Sequence, residues 1–321
     1  MKKLFLTLFL TVITTAMLQA QQISVVSSGG TTKLYNTLAD AINGADPGSV
    51  IYLPGGGFPI SDDVKITKKL TIIGIGHYVK SGNVDGITTI SGNFFFNEGS
   101  SGSAIMGCYI TGNVIIGDGD ASVNDALIKY CNLNNVEVKN NTCLNIIVNQ
   151  NYVRGSVYNV NGLITNNIIG NSIRGVMGGT ISYNIIQSGS YGIGANDSFI
   201  SNNILFADGH GGYGWQHYII EGYNNIVSNN MCRYNCGDDC INIGEINWTD
   251  VFVNYLGTNP ASNFHFKDEY KQYENQVGIY AGDGFNDNQL APVPYIVAKH
   301  VDQQTDAQGK LNIKIRVKAG Q

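Results

Sequence analysis

Charge is scarce in this chain. Asp, Glu, Lys and Arg make up 13% of its 321 residues, too few for ion pairs to organise the fold. Between residues 140 and 266 lysine is absent, and Arg154, Arg174 and Arg233 are the only strong bases. With a formal net charge of -5 and no basic stripe, nucleic acid is not expected as a partner. An acidic polysaccharide would need a local cluster of cations for the same reason. Proline is rare, at six residues, and beyond residue 20 no apolar run is long enough to span a bilayer as a helix. The chain holds 40 Gly and very many Asn instead, a composition suited to turns and backbone hydrogen bonds.

The asparagines are not scattered. One phrase recurs: an apolar residue, two mostly polar ones, an Asn and another apolar residue. It reads Ile164, Thr165, Asn166, Asn167, Ile168 in one copy and Ile200, Ser201, Asn202, Asn203, Ile204 in another. The key asparagines are 93, 113, 135, 151, 167, 184, 203, 230 and 254. A period near 20 residues with irregular insertions marks a solenoid, in which each turn buries its apolar face only by stacking on its neighbours. The apolar runs are short and rich in Ile and Val, so the repeating element is a strand. Asn suits a tight corner, because it tolerates left-handed backbone and its amide bonds nearby main chain; stacked corners then form one amide ladder. This pattern resembles the right-handed parallel β-helix of pectate lyases, polygalacturonases and phage tailspikes. The resemblance implies an all-β solenoid and says little about chemistry, since that fold carries lyases, hydrolases, esterases, adhesins and inert scaffolds.

The order along the chain supports one elongated domain. Residues 1–20, with Lys2 and Lys3 before an apolar run, read as a secretory signal of bacterial type, which implies a secreted, periplasmic or cell-surface protein. Leu38, Ala41 and Ile42 have helical spacing and predict a helix that caps the first coil, as is similar in pectate-lyase-like proteins; an uncapped solenoid end exposes its core and its strand edges. The β-helix is expected over 21–290, with 277–284 as its closing coil, then a linker and a capping strand over 291–321. In that last stretch Leu311, Ile313, Ile315 and Val317 alternate with Asn312, Lys314, Arg316 and Lys318. One such strand cannot stand alone, so its apolar face is expected to cover the end of the helix, the alternative being a strand that docks a partner. The protein is expected to act as a monomer.

Three stretches carry candidate chemistry. Asp118, Asp120 and Asp125 lie on a Gly-rich loop whose oxygens suit Ca²⁺, although Asp and Gly are also ordinary turn residues. No cofactor is otherwise implied. The longest interval, between Asn203 and Asn230, gathers His210, Tyr213, Trp215, His217 and Glu221 on an expected loop; aromatic rings there can stack on sugar rings, and the acids and histidines can serve as acid-base groups. Cys232, Cys236 and Cys240 follow at intervals of four, open to a disulfide, to zinc with a further ligand, or to buried thiols. Cys108, Cys131 and Cys143 fall near strand positions, where a thiol packs as a core residue.

Gly237, Asp238, Asp239 and Cys240 resemble a motif of polygalacturonases, in which carboxylates on adjacent coils drive inverting hydrolysis with an acid and a base about 6.5–9.5 Å apart. Carried over, the resemblance makes Asp238 and Asp239 catalytic candidates, with His210 from the Gly209, His210, Gly211 phrase. The family's Asn-Thr-Asp and Arg-Ile-Lys phrases are absent, and the Gly-His-Gly precedes the Asp pair instead of following it. A lyase needs a basic Arg or Lys beside a cation-bound uronate. Arg154 and Arg233 sit at matching places after a key Asn, several coils apart, and Arg233 is kept as a substrate-binding candidate. The function expected is engagement of extracellular polysaccharide, as a lyase or hydrolase if catalytic, against the alternative of a non-catalytic surface scaffold.

Overall fold

The computed structural model describes residues 22–78, 86–187, 192–206, 210–211, 215–216, 219–233, 236, 239–257, 259–285, 295–302, 304 and 308–318. The expected leader over 1–20 and the expected linker at 291–294 lie outside these residues. The protein is a parallel β-helix. Each regular coil places one short strand in each of three sheets, which hold 11, 10 and 8 strands and are called sheets one, two and three below. Register is kept residue on residue. Ile51, Ile72, Ile105, Ile128, Val148, Ile164, Ile181 and Ile200 form a single column down sheet one, and all are fully buried. Each such aliphatic side chain contributes about 1.5–3 kcal/mol of burial, which no coil can realise without its neighbours.

The corner between sheets one and two explains the recurring phrase. Tyr130, Gln150, Asn166, Tyr183, Asn202, Asn229 and Asp239 all take left-handed backbone there, with φ between 51° and 60°. The residue that follows each of them is the rung of the ladder. Asn151, Asn167, Asn184, Asn203 and Asn230 are fully buried. Each side-chain oxygen accepts the backbone N–H of the rung before it, at 2.9–3.0 Å. Each amide NH₂ donates to a carbonyl of the preceding sheet-one strand: Ile128, Val148, Ile164, Ile181 and Ile200 in turn. The expected division of labour is therefore corrected: the left-handed residue precedes the key Asn, whose own task is the buried bonding.

The single ladder expected from the nine asparagines is in fact two. Asn93, Asn113 and Asn135 stand at the entry to sheet three, just before the registered Phe94, Val114 and Val136. Asn93 Oδ1 accepts from Asn113 N, and Asn135 Oδ1 from Ser156 N; Ser156 and Ser172 continue the line with hydroxyls 3.3 Å apart. Strand register places Thr88, Cys108, Cys131 and Cys240 at the rung position of the first ladder, beyond its Asn run at either end. Cys131 Sγ donates to Ile105 O at 3.7 Å, as Asn151 donates to Ile128 O one coil later. Asn254 belongs to neither ladder.

Both ends of the stack are closed. The helix Leu38–Gly44 buries Leu38, Ala41 and Ile42 and is N-capped by Thr37, whose hydroxyl accepts from Asp40 N at 3.1 Å. At the far end Cys236 packs in the core and the chain returns to sheet two for its last strand, Ile241–Asn242.

Residues 277–284 do not form the closing coil that the sequence suggests. The chain over 248–285 instead runs back along the outer face of sheet two, because that face is apolar. Tyr152, Ile168, Ile185, Ile204 and Met231 point away from the solenoid interior and form a second core with Trp248, Phe252, Phe264, Phe266, Val277 and Ile279. Phe206 and Trp248 stack with ring centroids 4.1 Å apart. The left-handed corner asparagines hold this strap. Asn166 Nδ2 donates to Ile279 O at 2.9 Å and Ala281 O at 2.8 Å, and Asn202 Nδ2 to Gln276 O at 2.7 Å. Gly278 lies so close to sheet two that a Cβ would meet Ile204 at 2.5 Å.

The C-terminal cap is also corrected. Ile313–Lys318 pairs antiparallel with Tyr295–Val301, and all six of its residues are exposed. Ile313, Ile315 and Val317 thus cover no part of the solenoid.

Two substitutions test this account. Asn203→Leu removes a fully satisfied rung and is expected to cost about 2–4 kcal/mol in urea unfolding, since it strands the Asn184 N–H and the Ile181 carbonyl. Asn166→Ala is expected to cost roughly 2–3 kcal/mol by releasing two buried carbonyls of the strap, and hydrogen exchange should rise first over 276–282.

Candidate functional site

Among the described residues, each sheet-two strand from Gly56–Pro59 to Ile185–Ile186 is followed within a few residues by a strand of sheet three. After Ile204–Leu205 the chain instead forms a hairpin, His210–Gly211 paired with Trp215–Gln216, and returns as Ile220–Glu221 of sheet three. His210 pairs with Gln216 and Gly211 with Trp215. Tyr213 and His217 lie outside the described residues. The hairpin thus sets the His210 and Trp215 backbones on the sheet-two to sheet-three edge.

Glu221 stands at the foot of this hairpin on the outer face of sheet three. Its carboxylate meets Arg174 at 3.4 Å across the intervening strand, where Gly194 presents no side chain. Both partners are about one-third exposed, so the pair orients more than it stabilises. Arg233 leaves sheet two at the same corner one coil later and lies 6.0 Å over the Trp248 ring. Its Nε is buried without a hydrogen-bond partner. Arg154 does occupy the equivalent place four coils earlier, but its guanidinium is committed to Asn132 Oδ1 and to the carbonyls of Ile110 and Thr111. Both arginines are half-buried.

Of the carboxylate pair, Asp239 stands away from this corner. Asp239 is exposed and takes the left-handed place before rung Cys240, at the entry to sheet two, whereas the hairpin leaves from its exit. Asp238 lies outside the described residues. The three aspartates weighed for calcium are likewise apart. Asp118 is paired with Lys65 at 2.7 Å, which holds its carboxyl below the usual range; Asp125 accepts from Asn145 at another corner, and Asp120 is exposed.

Among the described residues one group of three or more potential metal ligands converges: Cys232, Cys236 and Cys240, with sulfurs within 4.8 Å of one another. Cys232 and Cys236 form a disulfide. Cys108, Cys131 and Cys143 behave as core residues. Burial pushes the Cys131 thiol up to about 12 and Cys108 well above its ordinary value, so both stay protonated and unreactive.

Sequence reasoning missed one cavity. A space of about 350 Å³ opens between the strap and sheet two, lined by Tyr78, Ile168, Asn254, Asn263, Phe264 and Tyr280 among others. Tyr280 is held flat against His265, with centroids 3.8 Å apart, and His265 is bonded to Glu274. Burial raises the Glu274 carboxyl, but the bonds from His265 and from Phe266 N, with the Lys271 charge, outweigh it and leave the group below its ordinary value. The available signal was the outward-facing row Ile168, Ile185, Ile204, Met231, which demanded a cover from elsewhere in the chain.

No protein-family model, curated protein or solved structure matches the chain. Functional argument therefore rests on this geometry and on the fold.

The Glu274 clasp has a definite pH signature. A carboxyl lowered by folding stabilises above its unfolded value, near 4.3, and loses that contribution as pH falls through the folded value. Glu274→Gln is expected to lower the melting temperature at pH 7, and its gap from the wild-type protein should narrow as pH falls below about 4.

Proposed function

We propose that this protein is an exported β-helix that engages extracellular carbohydrate at the edge between sheets two and three. The observation that carries the reading is the His210–Gln216 hairpin, the one excursion of that edge among the described coils, raised on a rigid stack beside the Arg174–Glu221 pair. Loops on rigid scaffolds are where binding residues concentrate. A Trp and a Tyr in such a loop supply flat apolar faces for sugar rings, and Arg174, Glu221 and Arg233 supply hydrogen bonds to hydroxyls. The leader over 1–20 supports export. Recognition is the reading these residues support, because Asp239, the described member of the carboxylate pair, stands at another corner.

A second reading, a non-catalytic surface scaffold, draws on the C-terminal hairpin. Its exposed strand alternates Ile313, Ile315 and Val317 with Lys314, Arg316 and Lys318, a pattern suited to an anionic envelope.

A glycan array and a polysaccharide-digestion screen, with and without calcium, separate these readings. Trp215→Ala is expected to weaken glycan binding roughly 10-fold or more with an unchanged melting curve. Product release abolished by Asp238→Ala with Asp239→Ala would replace recognition by hydrolysis. No binding to any glycan would overturn the proposal in favour of the scaffold.

A further inference from the structure

The three clustered cysteines sit where the solenoid ends, and each has a distinct place in the last coil. Cys232 is an inward-facing residue of Met231–Cys232, fully buried. Cys236 is 4% exposed and packs in the core, with its sulfur 3.5 Å from Asn230 O. Cys240 is partly exposed and occupies the rung after Asn230, immediately before the strand Ile241–Asn242 that pairs with Met231–Cys232. A disulfide thus lies with a third cysteine sulfur within 4.8 Å of both its atoms.

We propose that these residues form a thiol–disulfide exchange centre with two alternative pairings, Cys232–Cys236 and Cys232–Cys240. In the step the Cys240 thiol gives up its proton and the thiolate attacks Cys232 Sγ. The Cys232–Cys240 bond forms, the Cys232–Cys236 bond breaks, and Cys236 leaves as a thiolate that takes up a proton. One disulfide and one thiol are present before and after, so neither oxidant nor reductant is required.

The two pairings do different mechanical work. Cys232–Cys236 ties Cys236 to the core. Cys232–Cys240 staples the last two strands of sheet two to each other and releases Cys236. The strap begins at Trp248, only a few residues beyond Ile241–Asn242, so the exchange acts on the anchor of the strap. The contrast with Cys108 and Cys131 supports a separate role for this group: those two occupy rungs inside the stack with no other sulfur bonded beside them, whereas Cys240 is the rung cysteine at the partly exposed end.

The test uses the full chain as purified under oxidising conditions. It is incubated at pH 8.5 without reductant, quenched in acid, alkylated and mapped by mass spectrometry without reduction. The expected result is a mixture: Cys232–Cys240 peptides appear beside Cys232–Cys236 peptides, and the alkyl label, initially on Cys240, appears on Cys236 to a comparable extent. Cys240→Ser is expected to abolish label at Cys236. The proposal is overturned if the chain retains only Cys232–Cys236 with label confined to Cys240. It is equally overturned if label reaches Cys236 at the same rate in Cys240→Ser. Mapping of the unsubstituted chain decides the matter even where that variant fails to fold.

Discussion

The structure depends on a buried hydrogen-bonding position at one corner of every coil. A chain that turns sharply inside a solenoid leaves a backbone N–H and a carbonyl facing the interior, where water cannot reach them and an unmade bond is costly. The rung side chain satisfies both at once when it is Asn, since the amide donates and accepts. The five Asn rungs are an unbroken series of such double bonds, and they set the coil-to-coil register on which the aliphatic columns rely. Thr88, Cys108 and Cys131 fill the same place with a weaker donor at the N-terminal end, where Thr88 Oγ1 reaches the carbonyls of Leu53 and Pro54.

From that register follows the second constraint. Strand side chains alternate faces, so a coil that points Val153, Ile169 and Ile186 inward must point Tyr152, Ile168 and Ile185 outward. Here the outward row is apolar too, and a solenoid alone would leave it wet. The strap over 248–285 removes it from water, and the corner asparagines that take left-handed backbone donate their amides to it. The same corner thus serves the solenoid through one residue and the strap through the residue before it. The cavity lined by Tyr78 and Tyr280 is the space where this cover does not fully close.

The corner also accounts for the last two residues of the Gly-Asp-Asp-Cys phrase. Asp239 is the left-handed residue and Cys240 the rung, the same two roles that Asn229 and Asn230 play one coil before. A tight turn that needs a small polar residue followed by a buried bonding side chain yields these letters without any catalytic requirement. The strands His210–Gly211 and Trp215–Gln216 instead pair with each other, outside the three sheets of the stack.

The sequence by itself determined the repeat, the strand identity of each apolar run, the helix that closes the N-terminal end and the burial of Cys108, Cys131 and Cys143. All of these rest on residues adjacent in the chain or on one repeated spacing, so the physics that selects them is local. It did not separate two ladders of asparagine, because Asn before an apolar residue looks alike at either corner and only strand register distinguishes them. It did not show the strap, since Asn166 meets Ile279 across more than a hundred residues and nothing in 277–284 names its partner. Nor did it choose among Cys232, Cys236 and Cys240 for the disulfide, a matter of which sulfurs the last coil brings within bonding reach. Tertiary structure decided these points because each depends on which distant faces must share the exclusion of water.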